Sequence, residues 1–103
     1  MMNISKNYIY STITSHVPDL KNLGVKRIGL FGSASRDEMN ENSDIDFIVE
    51  FNEGGKSFDN FMDLSYLLED LLESRIDLVT PEALSDNLKK QILREVQYIE
   101  IRP

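Results

Sequence analysis

The chain has 103 residues, and its 18 acidic and 11 basic side chains give a formal net charge of −7 at pH 7. A surface of that sign repels a phosphate backbone, which argues against direct nucleic-acid binding. There are no cysteines, so disulfides, thiolate zinc sites and cysteine nucleophiles are excluded. Hydrophobic residues make up 41% of the sequence, which is normal for a globular protein, and we expect one domain over residues 1–103.

The sequence offers no membrane or export signal. No apolar run approaches the roughly 20 residues that a membrane span requires. The N-terminal residues 1–6 are polar and lack the apolar region of a signal peptide. We therefore expect a cytoplasmic protein without a membrane partner.

The first predicted element is a helix over residues 4–15, because apolar residues recur there at helical spacing. Pro18 cannot continue that helix, so a short second piece follows it and stops at Gly24. The residues near helical spacing in this region are Ile4, Tyr8, Ile13, Val17, Leu20 and Leu23. Residues 26–31 then predict a short buried strand, and residues 34–36 predict the start of a helical turn.

The clearest strand pattern follows a polar loop at residues 37–43. Residues 44–51 alternate between apolar and polar positions, so one face of this strand is expected to be apolar. The side chains predicted on the apolar face are Ile45, Phe47, Val49 and Phe51, and those on the other face are Asp44, Asp46, Ile48 and Glu50.

Ser57 is positioned to cap the next predicted helix, which runs to Glu73. Its apolar stripe comprises Phe58, Phe61, Met62, Ser65, Leu68, Leu71 and Leu72, and we expect its phenylalanines in the core rather than against a nucleotide. A third strand at residues 75–80, an amphipathic helix at residues 86–96 and an edge strand at residues 98–101 complete the prediction. The apolar face of that last helix is expected to comprise Leu88, Ile92, Leu93 and Val96. The order α-β-α-β-α-β-α predicts an α/β fold with helices packed on a small sheet.

Three aspartates interrupt the predicted strands. Asp44 and Asp46 are two residues apart, so their carboxylates leave the same strand face with Cα atoms about 7 Å apart. Asp77 interrupts the next apolar strand in the same way. Three such carboxylates repel one another unless cations lie between them, and Mg²⁺ is the cation that suits oxygen ligands. Two Mg²⁺ ions would support displacement at phosphorus; the alternative is three unconnected, solvent-facing aspartates.

The turn after the first strand has the composition of a phosphate-binding loop. Gly32 lets the backbone approach a phosphate, and the amides that open the next helical turn point towards it. The Ser33 hydroxyl can donate one more hydrogen bond, and Arg36 can pair with a phosphate through its planar guanidinium. The turn is a stronger candidate for a phosphate-binding loop because it comes shortly before the strand that carries Asp44 and Asp46.

Together these residues resemble the DNA polymerase beta-like nucleotidyltransferases, whose signature is Gly-Ser, a gap, Asp-x-Asp and a third carboxylate on a later strand. Over residues 25–99 the chain is most similar to the stand-alone minimal nucleotidyltransferase (MNT) domains of prokaryotes. Those domains often read Gly-Ser-x-Ala-Arg-Gly and end near Val-Thr-Pro-Glu-Ala-Leu, which residues 79–84 match. This chain departs from the first motif at Ser35 and at Asp37, whose added anion is expected to weaken phosphate binding.

The resemblance implies a nucleotidyltransferase fold with a small mixed β-sheet flanked by helices, ATP as substrate and two Mg²⁺ ions. It assigns the triphosphate to Gly32, Ser33 and Arg36, and it assigns both metal binding and catalysis to Asp44, Asp46 and Asp77. The implied reaction transfers AMP from ATP to a hydroxyl and releases pyrophosphate. Because the chain ends soon after the catalytic core, we expect the acceptor to be brought by another molecule.

The resemblance also implies a partner. MNT domains are commonly encoded beside a HEPN-domain toxin, and they act as its type VII antitoxin by adding AMP to a toxin tyrosine. A hetero-oligomer is therefore expected, and a homo-oligomer remains open. The alternative is a non-enzymatic antitoxin that neutralises the toxin by binding alone. All three carboxylates are retained, which favours the enzyme, whereas transfer to an antibiotic is disfavoured because no second domain is expected.

Overall fold

The computed structural model describes residues 5–40 and 42–101, which form a four-stranded sheet with helices on it. The elements are, in chain order, α1 (Lys6–Thr14), α2 (Val17–Asn22), β1 (Val25–Phe31), α3 (Gly32–Ser35), β2 (Ile45–Phe51), α4 (Phe58–Leu72), β3 (Ile76–Val79), a 3₁₀ helix (Pro81–Ala83), α5 (Asp86–Glu95) and β4 (Gln97–Glu100). No helix within these residues is both long and apolar enough to cross a membrane.

The sheet is mixed, with strand order β3-β2-β1-β4. Strand β1 pairs antiparallel with both β2 and β4, whereas β2 and β3 are parallel. The parallel pair requires a crossover, which α4 provides. The predicted C-terminal edge strand is confirmed as β4, and the predicted small mixed sheet flanked by helices is confirmed as the fold.

The main core lies on one face of the sheet, under α1, α2 and α4. On this face Ile28 lies opposite Val49, and Leu30 lies opposite Phe47. The residues buried together here are Ile9, Ile13, Leu20, Val25, Ile28, Leu30, Ala34, Ile45, Phe47, Val49, Leu64, Leu68, Leu72 and Ile101. Burial of this apolar surface is the main contribution to the stability of the fold.

The second face of the sheet is covered in part by α5. The register pairs Arg27 with Glu50, Gly29 with Ile48 and Phe31 with Asp46 on this face. Ile48 is fully buried, although its strand pattern predicted a polar face. Ile92 of α5 is buried too, and Val96 packs so closely on Gly29 that a Cβ there would lie 2.5 Å from Val96 Cγ2.

Local sequence signals explain where the helices begin and end. Ser5, Ser57 and Ser85 each cap a helix, because each hydroxyl accepts a hydrogen bond from the backbone N–H three residues later. Such caps contribute about 1 kcal/mol each. Pro18 lies in the first turn of α2, where its missing N–H costs little, and Gly24 follows the end of that helix as predicted.

Two predicted helix faces are wrong in part. In α1 the buried residues are Ile9 and Ile13, one helical turn apart, so Tyr8 is rotated outwards and is 43% exposed. Ile4 lies outside the described residues. In α4 the buried positions are Leu64, Leu68 and Leu72. Phe58, in the first turn before this stripe, is 77% exposed rather than in the core.

Helix α5 also buries less than its pattern predicted. Of the apolar residues expected on its buried face, Ile92 is buried, whereas Leu88 and Leu93 are nearly half exposed. The helix rests on the sheet near its C-terminal end, through Ile92 and the following Val96. This contact brings the end of α5 next to the turn between β1 and α3.

Candidate active site

One end of the sheet gathers the predicted site residues. Strand β1 ends there at Phe31, which lies opposite Asp46 near the start of β2. Asp46 in turn lies beside Asp77 in the parallel β2–β3 pair. The chain turns into α3 at Gly32, directly after β1. The topology therefore places the glycine turn and two of the three aspartates at a single edge of the second face.

Asp46 and Asp77 form a carboxylate pair. The pKa of Asp46 is raised to about 6, mainly by burial and in addition by the negative charges of Asp77 and Asp44. The two residues are register partners on neighbouring strands, so their negative charges repel each other.

Asp44 lies just before β2, and its carboxylate points to a different partner. Its Oδ1 atom is 3.0 Å from Nε of Arg75, and both side chains are at least half exposed. The same guanidinium donates a hydrogen bond to the carbonyl of Asn42 at 2.8 Å. Across residues 5–40 and 42–101, no group of three or more Asp, Glu, His or Cys side chains converges to hold a metal ion. Within the predicted trio, Asp46 and Asp77 are register partners, whereas Asp44 pairs with Arg75.

Gly32 meets two requirements of this turn. Its φ angle is +69°, in the left-handed region that side chains with a Cβ disfavour. In addition, a Cβ at this position would lie 2.3 Å from Oδ2 of Asp46. The backbone at Gly32 can therefore pass the Asp46 carboxylate only because the residue has no side chain.

The remaining motif residues lie around α3. Ser33 is partly buried within this short helix, and the Ser35 hydroxyl donates to the Gly32 carbonyl at 2.8 Å. Asp37 has a φ of +58°, a conformation that favours the glycine found there in related motifs. Its Oδ1 atom accepts a hydrogen bond from the backbone N–H of Lys6 at 2.9 Å. The Asp37 carboxylate is thus engaged at the N-terminus of α1.

A residue that the sequence analysis missed, Glu95 at the end of α5, completes the site. Its Oε2 atom accepts a hydrogen bond from the backbone N–H of Gly32 at 2.7 Å. Its Oε1 atom accepts one from Nη1 of Arg36 at 2.8 Å, while Nε of Arg36 donates to Glu38 at 2.9 Å. No motif marks Glu95, because a charged residue in the last turn of an amphipathic helix ordinarily faces solvent.

A small mixed sheet with a carboxylate pair beside a glycine turn defines the class of protein as a nucleotidyltransferase. The sequence matches the family described as nucleotidyltransferase domain over residues 13–99. The chain therefore belongs to this family and is a nucleotidyltransferase enzyme. The resemblance to minimal nucleotidyltransferases that the motifs predicted is confirmed.

Known proteins similar to this chain support the same family. The protein adenylyltransferase MntA of Thermococcus cleftensis is 40% identical over 100 residues, which cover 96% of this chain and 100% of that protein. A solved minimal nucleotidyltransferase superposes with a TM-score of 0.81 at 30% identity, covering 94% of this chain and 98% of the other. A chain of a toxin–antitoxin crystal structure with AMP-PNP superposes with a TM-score of 0.64 at 26% identity, covering 92% and 72% respectively.

Replacing Asp46 with asparagine should stabilise the protein when no metal is present. The pKa of Asp46 is raised to about 6 in the fold, above that of an unfolded aspartate, so wild-type stability falls as pH rises through 6. Asparagine does not ionise, so the variant does not lose this stability. We expect its melting temperature to exceed that of wild type by on the order of a few degrees at pH 7.5. Thermal melts in chelator at pH 5 and pH 7.5 measure the difference. A variant with the same advantage at both values would contradict the assignment.

Proposed function

We propose that this nucleotidyltransferase is an Mg²⁺-dependent protein adenylyltransferase. It transfers AMP from ATP to a tyrosine hydroxyl of a HEPN-domain toxin and thereby acts as the antitoxin of the pair. The observation that carries the proposal is the Asp46–Asp77 pair, which lies beside the Gly32 turn at one end of the sheet. Acidic pairs next to a backbone that admits phosphate fit phosphoryl chemistry better than a structural role.

The carboxylate pair fits a divalent cation. The neighbouring Asp77 carboxylate disfavours ionisation of Asp46, and a divalent cation held by both side chains would remove that repulsion. Their hard oxygen atoms are ligands that Mg²⁺ prefers. Asp44 would join them by releasing Arg75, an exposed ion pair that contributes little stability. When bound, Mg²⁺ neutralises charge on the phosphates and on the attacking and leaving oxygens.

The side chains of this site have separate tasks in the proposed reaction. The Gly32 amide, the Ser33 hydroxyl and the Arg36 guanidinium hold the triphosphate and orient its α-phosphorus. Asp44 and Asp46 would hold the cation that accompanies the nucleotide. Asp77, from the neighbouring strand, completes the position at which the acceptor hydroxyl loses its proton. The acceptor oxygen then bonds to the α-phosphorus, the bond to the bridging oxygen breaks, and pyrophosphate leaves.

The protein acceptor is supported by the relatives rather than by the site. The similar MntA protein is named a protein adenylyltransferase and matches this chain along its whole length. A similar fold occurs in a toxin–antitoxin structure with AMP-PNP, a non-hydrolysable analogue of ATP. The net charge of −7 would also favour a basic protein partner. These points together favour a protein hydroxyl over a small-molecule acceptor.

The proposal predicts that the toxin gains AMP only when every component is present. The purified protein, ATP, Mg²⁺ and the HEPN-domain toxin proposed as its partner are incubated together, and intact-mass spectrometry counts the AMP units added. Peptide mapping then identifies the modified residue, which is expected to be a tyrosine. Chelator should abolish the modification, because the aspartates repel the triphosphate until cations neutralise them.

Asp46→Asn is the matched control, since it should fold at least as well as wild type but lose the transfer. A complex that neutralises the toxin with no added AMP would support binding alone as the mechanism. Modification that persists in excess chelator would show that the metal assignment is wrong. Labelling confined to serine or threonine would change the acceptor and leave the reaction type standing.

A further inference from the structure

The Glu95 carboxylate occupies the groups that we assign to the triphosphate. It accepts a hydrogen bond from the Gly32 N–H at 2.7 Å through one oxygen and one from Arg36 at 2.8 Å through the other. These two donors come from a turn about 60 residues earlier in the chain, so the contact depends on how α5 packs against the sheet. One acidic side chain thereby bridges the backbone donor and the cationic donor of the same loop.

A carboxylate and a phosphate compete for such donors. Both are anions whose oxygen atoms can accept hydrogen bonds from an N–H group and a guanidinium at the same time. The Gly32 N–H has a single hydrogen, and Nη1 of Arg36 already points to Glu95. A triphosphate that takes these donors must displace Glu95. If it did not, two anions would lie within contact distance and repel each other.

The position of Glu95 makes this displacement easy. Glu95 is the last residue of α5, and the next residue, Val96, already has extended backbone angles of φ −69° and ψ 137°. The Glu95 side chain is 30% exposed, so it can turn towards solvent without unwinding a helical turn. Its departure also removes one of the negative charges that act on Asp46.

We propose that Glu95 is a built-in competitor of the triphosphate, which holds the phosphate-binding groups in the nucleotide-free protein and sets the affinity for ATP. This inference rests on the proposed function, because it takes the Gly32–Arg36 loop as the phosphate site. The competition raises the ATP concentration at which the site fills. It also favours ligands with enough phosphate charge to displace a carboxylate, so it discriminates against AMP and adenosine.

The test compares wild type with Glu95→Gln and with the control Glu38→Gln. Glutamine keeps the size of Glu95 but removes its charge. Glu38 also pairs with Arg36, at 2.9 Å, whereas the Gly32 N–H donates to Glu95. We expect Glu95→Gln to bind Mg²⁺–ATP about 5- to 20-fold more tightly in calorimetry, and Glu38→Gln to change the affinity less than about twofold.

Two further readouts separate competition from a structural role. The gain in Glu95→Gln should appear with inorganic tripolyphosphate and be absent with adenosine, because the competition is for phosphate donors. The ligand-free melting temperature should fall slightly as the ion pair is lost, while the rise caused by ATP should become larger. A residue that merely supports the loop would instead lower the melting temperature and weaken ATP binding together.

The outcomes distinguish this inference from the function on which it rests. If wild type binds Mg²⁺–ATP and Glu95→Gln binds it equally or more weakly, the competitor role is overturned and the proposed function stands. An equal gain in Glu38→Gln also overturns it, because the effect would then be general electrostatics. If no variant binds Mg²⁺–ATP or tripolyphosphate, the phosphate site itself is wrong, and both proposals fall.

Discussion

Replacing Asp77 with asparagine should abolish AMP transfer while largely sparing ATP binding. Asp77 lies on β3, next to Asp46 of β2, whereas the Gly32 turn that we assign to the triphosphate follows β1. In the proposed reaction it acts where the acceptor hydroxyl is activated. Losing it therefore removes stabilisation of the transition state and leaves the contacts to the triphosphate in place. We expect the rate to fall on the order of 10²–10⁴-fold.

The measurement is single-turnover transfer to the toxin, together with calorimetry of Mg²⁺–ATP. Asp44→Asn is the informative comparison, because Asp44 is assigned to the cation that accompanies the nucleotide and should affect both binding and turnover. Both aspartates are solvent-exposed, so neither substitution should harm folding. Near-normal transfer by Asp77→Asn, with loss in Asp44→Asn, would make Asp77 an ordinary strand residue.

Replacing Gly32 with alanine should damage both the fold and the site. A residue with a Cβ at φ +69° costs about 1–2 kcal/mol from backbone conformation alone. The Cβ would also lie 2.3 Å from Oδ2 of Asp46, so either the turn or the carboxylate must move. A displacement of about 1 Å at reacting groups can cost on the order of 10²-fold in rate. We expect a lower melting temperature and a loss of transfer of at least that size.

The chain contains a matched control for the conformational cost of placing alanine at a positive φ angle. Gly54 has a φ of +79°, but a Cβ there would meet no atom within 4 Å. Gly54→Ala should lower the melting temperature by a similar conformational cost and leave transfer intact. If both variants lose stability equally and both retain transfer, the close approach of Gly32 to Asp46 does not matter for the reaction.

The parts of the fold that repeat a simple pattern were predictable from the sequence. Strand β2 alternates clearly, Ser57 caps α4, and Pro18 lies in the first turn of α2, so each element could be placed within a few residues. The exposed faces of Tyr8 and Phe58 could not be predicted. Helical periodicity predicts that an apolar stripe exists, but tertiary packing decides which of two neighbouring apolar residues belongs to the buried stripe.

The candidate site was predictable where it depends on strand geometry and not where it depends on tertiary pairing. Asp46 and Asp77 lie together because two parallel strands begin at the same edge of the sheet. Asp44 was expected beside them, but the nearby Arg75 holds its carboxylate at 3.0 Å. Glu95 reaches the site only through the packing of α5 on the second face, which no local pattern encodes.

The parallel pairing of β2 with β3 has a consequence for how this small enzyme tolerates change. Asp46 and Asp77 are register partners, and a slip of one residue in that pairing would turn Asp77 to the opposite face of the sheet. The register is held by α4, which joins the two strands and buries Leu64, Leu68 and Leu72 in the core. The alignment of the two carboxylates therefore depends on how α4 is anchored on the other face of the sheet. Selection for catalysis thus also acts on the hydrophobic residues of this crossover helix.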